Sequence, residues 1–208
     1  MMEVDRIIQG DCIEAMKGLP DNSVDLVLTD PPYGVDYADW DAEIPSGWLA
    51  EACRIGKYVV FTPGNGNQKQ YPEPIWTICW ARPGSVQRVR KGTGFSHWEP
   101  ILVYGDTNPY QVDYLCLNAN TGAEKLGHPC PKPLKLMLWL VLKSKTTGVV
   151  LDCFCGSGTS CVAAKMLGRH YIGIDISEKY CEIARKRVEA AERGITVKEL
   201  EKGQKVLF

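Results

Sequence analysis

The chain has 208 residues, enough for one domain with a sizeable core, and 45% apolar with 24% charged side chains is an ordinary globular composition. A formal net charge of -1 excludes a uniformly basic nucleic-acid binder, so any DNA contact must come from a local basic patch. The longest apolar run, 136–142, is far shorter than the roughly 20 residues that span a bilayer, and the start MMEVDRIIQGD holds acidic residues and no apolar signal segment.

Short β-branched runs alternate with helical stretches, which predicts a mostly parallel α/β sheet in a single domain over residues 1–208. Strands are expected at 6–9, 24–29, 58–62, 75–80, 101–104, 149–154 and 171–174. The second of them runs into VDLVLTDPPYG, where Asp30 is followed by Pro31, Pro32 and Tyr33. The two prolines stiffen the backbone and remove its N–H donors, so this turn offers only acceptors, the Asp30 carboxylate and a main-chain carbonyl. Rigid acceptors suit a substrate amino group. An exocyclic amine on a base is a poor nucleophile because its lone pair is delocalised into the ring. Acceptors pulling on its hydrogens draw the nitrogen toward tetrahedral geometry, and Tyr33 offers a flat face to a base taken out of its stack. Read alone, the same residues make a Pro-Pro turn with a capping Asp.

Farther along, 82–97 holds Arg82, Arg88, Arg90, Lys91 and three glycines, and 105–127 belongs to a stretch rich in Pro, Gly, Asn and Thr. Both read as surface loops and candidate recognition segments. The four cations are candidate phosphate contacts, with a solvated loop as the plain alternative. Residues 135–143 form a helix with almost no polar face, which predicts a place deep in the fold or, as a second reading, a subunit interface and a homodimer.

VVLDCFCGSGTS at 149–160 is an apolar strand, then Asp-x-x-x-Gly-x-Gly, then a helix start. Gly156 and Gly158 allow a tight turn and close approach to a ligand at the end of a strand. No third glycine stands at the dinucleotide spacing and no Gly-Lys-Ser/Thr follows, so the ligand need not carry phosphate. The helix 157–167 closes at Gly168, and Asp175 ends the next strand, where a carboxylate suits ribose hydroxyls. Ser177 is placed to cap a last helix that Gly194 ends. Six tryptophans could form a stacking surface, but core packing is the better default. Nine cysteines without a CxxC pair point to reduced, mostly buried thiols in a cytoplasm, with no metal site.

Together these residues resemble the amino-methyltransferases that make N6-methyladenine or N4-methylcytosine in DNA. DPPYG at 30–34 is similar to their catalytic motif and DCFCGSGTS at 152–160 to their cofactor motif. The catalytic motif comes first, as in the circularly permuted β group, and HPCPKP (128–133), QGDCIEAMKGLPD (9–21) and HWEPILVYG (97–105) continue the likeness. The resemblance implies a class I, Rossmann-like fold with a seven-stranded mixed sheet and S-adenosylmethionine as cofactor. It implies that Asp30 and the Pro31 carbonyl hold the target amine and that Tyr33 stacks on the base. Asp152, Phe154, Gly156 and Gly158 are then expected to line the cofactor, Asp175 to bind its ribose, and Asp11 with Cys12 to flank its adenine. Lys132 is expected near the methionine carboxylate. Double-stranded DNA, with adenine N6 as the target, is the expected substrate, within a restriction-modification setting. Cytosine N4, an amine on RNA or protein, and an inactive partner subunit are the alternatives. The recognition insert usual in the β group is short here, so selectivity must be shared between loops or with a second subunit.

Overall fold

A computed structural model of the chain describes residues 2–34, 44–84, 87–88, 95–118 and 131–197, with 87–88 described in backbone alone. The side chain of Arg88, all of Arg90 and Lys91, residues 119–127 of the second recognition segment and 128–130 of HPCPKP lie outside the described residues. Among the described residues no helix is long and apolar enough to cross a membrane.

The elements, in chain order, are β1 (Arg6–Gln9), α1 (Cys12–Lys17), β2 (Leu26–Thr29), α2 (Trp48–Ile55), β3 (Tyr58–Phe61), β4 (Trp76–Ala81), β5 (Gln87–Arg88), β6 (Phe95–Ser96), β7 (Trp98–Gly105), β8 (Tyr114–Cys116), α3 (Leu134–Lys143), β9 (Val149–Asp152), α4 (Thr159–Met166), β10 (His170–Asp175) and α5 (Glu178–Glu192). Eight strands form one sheet in the order β1-β10-β9-β2-β3-β7-β4-β8. The first five run parallel, and β7 is antiparallel to both of its neighbours. The mixed Rossmann-like sheet expected from the motif order is present, with one strand more than the seven expected. The extra strand is β8, in a stretch whose composition reads as loop. It pairs Cys79 with Tyr114 and Ala81 with Cys116, and so satisfies the outer edge of β4.

The centre of the sheet explains its apolar sequence. Every residue of β2 and β3 is buried, as parallel strands covered on both faces require. Leu26 and Leu28 pack with Leu136, Leu140 and Val141 of α3 on one face. Val27 packs with Trp48, Ala52 and Ile55 of α2 on the other. Of the described tryptophans, Trp48 and Trp80 are buried, and Trp98 is the most exposed at 41%.

α3 is neither sandwiched nor free. Leu136, Met137, Leu140 and Val141 are buried, while Leu142 at its outer flank is 54% exposed. The predicted helix ends hold at Gly168 and Gly194, both in the left-handed conformation. Ser177 does take the N-cap position of α5, but its side chain makes no capping bond.

The order of β2 and β9 in the sheet positions the site. From β2 the chain leaves through α2 to β3 on one side, and from β9 through α4 to β10 on the other. The crevice between their C-terminal ends is the switch point at which open α/β sheets bind ligands.

Candidate active site

Two turns meet at that crevice. The turn after β2 carries Asp30, Pro31, Pro32 and Tyr33, and the turn after β9 carries Asp152, Phe154 and Gly156. All seven line one cleft of about 460 Å³, together with Asp11, Cys12, Lys132 and Asp175. The ends of β2 and β9 are joined directly. Thr29, buried at the tip of β2, donates its hydroxyl to Asp152 Oδ1 at 2.6 Å.

Asp152 also accepts the Phe154 amide at 3.2 Å. Burial pushes its carboxyl up to about 6, against the partly offsetting donors Thr29 and Ser160 and the Phe154 amide. A carboxyl raised in the folded chain contributes its full stability below its ordinary value, near 4. That contribution is lost as pH rises through about 6. Asp152→Asn, which keeps an acceptor for Thr29 and cannot ionise, is therefore expected to stabilise the fold at pH 7.5 by about 2 kcal/mol. The gain should vanish near pH 4, and thermal melts of both proteins at the two pH values check it.

Asp175 ends β10 and staples the second turn. Its Oδ2 accepts the Gly156 amide at 2.8 Å and its Oδ1 the Ser177 amide at 2.9 Å, while burial raises its carboxyl. Each oxygen keeps a second lone pair for a ligand hydroxyl. Ile176, the next residue, lines the same cleft with a 67% exposed apolar side chain. Phe154 leans edge-on against Trp48 with ring centroids 5.4 Å apart, which fixes the wall beside it. At the far side of the cleft Asp11 caps α1, accepting the Ile13 amide at 2.9 Å and the Glu14 amide at 3.0 Å. Burial pushes the adjacent Cys12 thiol up to about 11, so it is a neutral part of the wall.

Two of the sequence expectations need correction, at Gly158 and at Arg82. Gly158 does not line the cleft. It sits at the N-cap of α4 with φ +77°, and a Cβ there would stand 2.7 Å from Cβ of Ala184 on α5. Its glycine serves the close approach of two helices. Gly158→Ala is expected to cost about 2 to 3 kcal/mol, by backbone strain and overpacking together, read as a lowered melting temperature.

Lys132 sits on the turn after β2. Its Nζ lies 3.0 Å from Asp30 Oδ1, donates to the Tyr33 hydroxyl at 2.6 Å, and is 3.9 Å from Glu99 Oε1. Burial alone would lower the Lys132 ammonium, but Asp30, Glu99 and Tyr33 together outweigh it and raise it well above the ordinary lysine value.

Arg82, expected on a surface loop, is buried. It pairs with buried Glu99 at 3.4 Å and lies 5.3 Å from the Trp80 ring centroid, so it is turned away from solvent and from any phosphate.

Around Asp30 the geometry is tight. Tyr33 donates its hydroxyl to Oδ1 at 2.6 Å, and Thr62, just after β3, donates to the same oxygen. The Tyr33 ring packs on Gly64, where a Cβ would meet ring atoms at 3.0 Å, and Asn67 donates to the Tyr33 carbonyl at 3.0 Å. Gly64 has φ +75°, a second reason for glycine there. Thr29, Thr62, Gly64 and Glu99 are the residues sequence reasoning missed. Thr29 and Thr62 left one signal, a polar residue closing an otherwise apolar strand run. Gly64 and Glu99 act across long sequence separations and left none.

The comparisons agree with this architecture. A sequence profile of the DNA methylase family, the N6/N4 methyltransferases, matches residues 65–186, which include Lys132 and the turns carrying Asp152 and Asp175. YubD of Escherichia coli (strain K12), whose name gives it as a methylase, is 30% identical over 91% of this chain and 92% of its own length. The type II methyltransferase M.HpaI of Haemophilus parainfluenzae is 28% identical over 91% of this chain and 76% of its own. Among solved structures, the complex of M1.HpyAVI with SAM superposes with TM-score 0.65 at 24% identity, covering 88% of this chain and 98% of that one. Here the fold and its cleft define a class I methyltransferase. The chain belongs to the DNA methylase family of N6- and N4-amino methyltransferases.

Proposed function

We propose that this protein transfers the methyl group of S-adenosylmethionine to the N6 amino group of adenine in double-stranded DNA. The observation that carries the reading is the Thr29–Asp152 hydrogen bond, which ties the acceptor turn to the glycine turn as the two walls of one cleft. The cleft fits the cofactor: Asp175 offers acceptors to a ribose diol, Ile176 and Phe154 offer apolar flanks, and no phosphate-binding device is needed. When bound, the cofactor supplies an electrophilic methyl group. Three donors engage Asp30 on Oδ1 alone, so Oδ2 and the Pro31 carbonyl are the acceptors for the amine. The base must leave its duplex to arrive there, and Tyr33, fixed between Gly64 and Asp30, is the face it meets.

Asp as the first residue of the motif favours adenine, since the family's cytosine enzymes often carry Ser there. Cytosine N4 is the second reading, because the PvuII methyltransferase, described as cytosine-N4-specific, shares the fold with TM-score 0.63 at 14% identity over 96% of this chain and 93% of its own. Incubation of unmethylated DNA with methyl-labelled cofactor, nucleoside digestion and mass spectrometry decides the matter. Labelled N6-methyl-2′-deoxyadenosine is expected; N4-methyl-2′-deoxycytidine would move the target, and no labelled nucleoside would defeat the proposal.

With Arg82 removed from the candidates, Arg88, Arg90 and Lys91 remain as phosphate contacts in the cytoplasmic encounter with DNA. Replacing all three with Gln is expected to flatten the slope of log affinity against log salt by up to about 3, near 0.9 for each lost contact. Binding titrations over a salt series measure it, and an unchanged slope would return the loop to a solvated surface.

A further inference from the structure

Glu99 stands at the start of β7 and is 2% exposed, a position a carboxylate keeps only when paired. Its Oε2 faces Nη1 of Arg82 at 3.4 Å, and its Oε1 faces Nζ of Lys132 at 3.9 Å. Lys132 continues the series to Asp30 and the Tyr33 hydroxyl. Four charges thus alternate in sign from the interior to the cleft wall, contributed by the ends of β4, β7 and β2 and by the segment before α3. Arg82 alone would neutralise Glu99. The second cation is needed only because Lys132 reaches past Glu99 to the catalytic turn.

We propose that Glu99 is a positioning residue for methyl transfer: anchored by Arg82, its carboxylate holds the Lys132 ammonium where it bridges Asp30 and Tyr33. The inference rests on the reading of Asp30 as acceptor for the substrate amine. A lysine side chain has four rotatable bonds, and burial works against its charge. Glu99 removes that freedom and supports the charge from behind. Lys132, so held, occupies Oδ1 of Asp30 together with Tyr33 and Thr62 and turns Oδ2 toward the cleft. Loss of Glu99 leaves Asp30 present but rotationally unset, which costs turnover more than cofactor binding.

The test uses the full chain as wild type, as Glu99→Gln, and as Arg82→Gln/Glu99→Gln, which avoids stranding a buried guanidinium if the single variant folds poorly. Methyl transfer to unmethylated DNA is followed at about pH 7.5 over a range of cofactor concentrations. In either variant kcat is expected to fall roughly 10- to 100-fold, with KM for the cofactor within about threefold of wild type. Lys132 should lose its proton at lower pH, because one of the groups that keep it protonated is gone; Asp30 and Tyr33 remain facing it, and Arg82 remains in the single variant. The Lys132 side-chain nitrogen resonance in ¹⁵N-lysine protein, assigned by its absence from Lys132→Arg, provides a second reading without DNA. It should titrate at lower pH in both variants. Wild-type kcat, or an unmoved Lys132 titration, overturns the proposal. A wild-type chain that methylates no DNA defeats the functional reading instead, and the Lys132 titration then decides the anchoring by itself.

Discussion

Asp30→Ala is expected to lower methyl transfer by about 10³-fold or more while cofactor affinity stays within about threefold of wild type. The split follows from the geometry. Asp30 contributes to the proposed acceptor wall, whereas the groups proposed to hold the cofactor, Asp152, Phe154, Gly156 and Asp175, hang from β9 and β10. An acceptor that pulls on the amine hydrogens is worth most as charge develops on nitrogen in the transition state, so its loss falls on turnover. Removing Asp30 also leaves the Lys132 ammonium with Glu99 and Tyr33 alone. Asp30→Asn, which preserves shape and one acceptor, is the companion variant and should lose activity with a smaller loss of stability. Calorimetric titration of cofactor alongside labelled-methyl transfer measures both halves. Activity retained in Asp30→Ala would remove the mechanism.

Asp175→Ala is expected to weaken cofactor binding by about 30- to 150-fold, from about 2 to 3 kcal/mol of lost charge-assisted hydrogen bonding. Two effects add at this residue. The carboxylate is the acceptor proposed for the ribose, and it also receives the Gly156 and Ser177 amides, so its loss loosens the glycine turn itself. Asp175→Asn separates them: an amide oxygen still accepts one backbone amide, and a smaller loss is expected. An unchanged dissociation constant in Asp175→Ala would take the ribose role from this residue.

Much of the sheet and both turns were legible because their signals are local. Seven apolar runs became seven strands, and the acids that close three of them, Asp30, Asp152 and Asp175, fell together in one cleft. The remainder depended on contacts between distant segments. β8 forms because β4 offers an open edge, which the composition of 105–127 does not announce. Arg82 belongs to a basic cluster in the sequence yet is drawn inside by Glu99, seventeen positions later and across two strands. Gly158 has a motif position but a packing reason, set by Ala184 on another helix. Lys132 is in the cleft, as expected, and its partner there is Asp30, because the segment before α3 lies against the turn after β2.

A crystal structure of the chain with S-adenosylmethionine bound addresses the shared cleft most directly. It should show the ribose hydroxyls on Asp175 and the sulfonium methyl facing Asp30 across a gap that one amino nitrogen bridges, at roughly 3 Å from carbon and from oxygen. A cofactor seated elsewhere, such as the polar hollow lined by Lys57 and Lys145, or one whose methyl points away from Asp30, would contradict it.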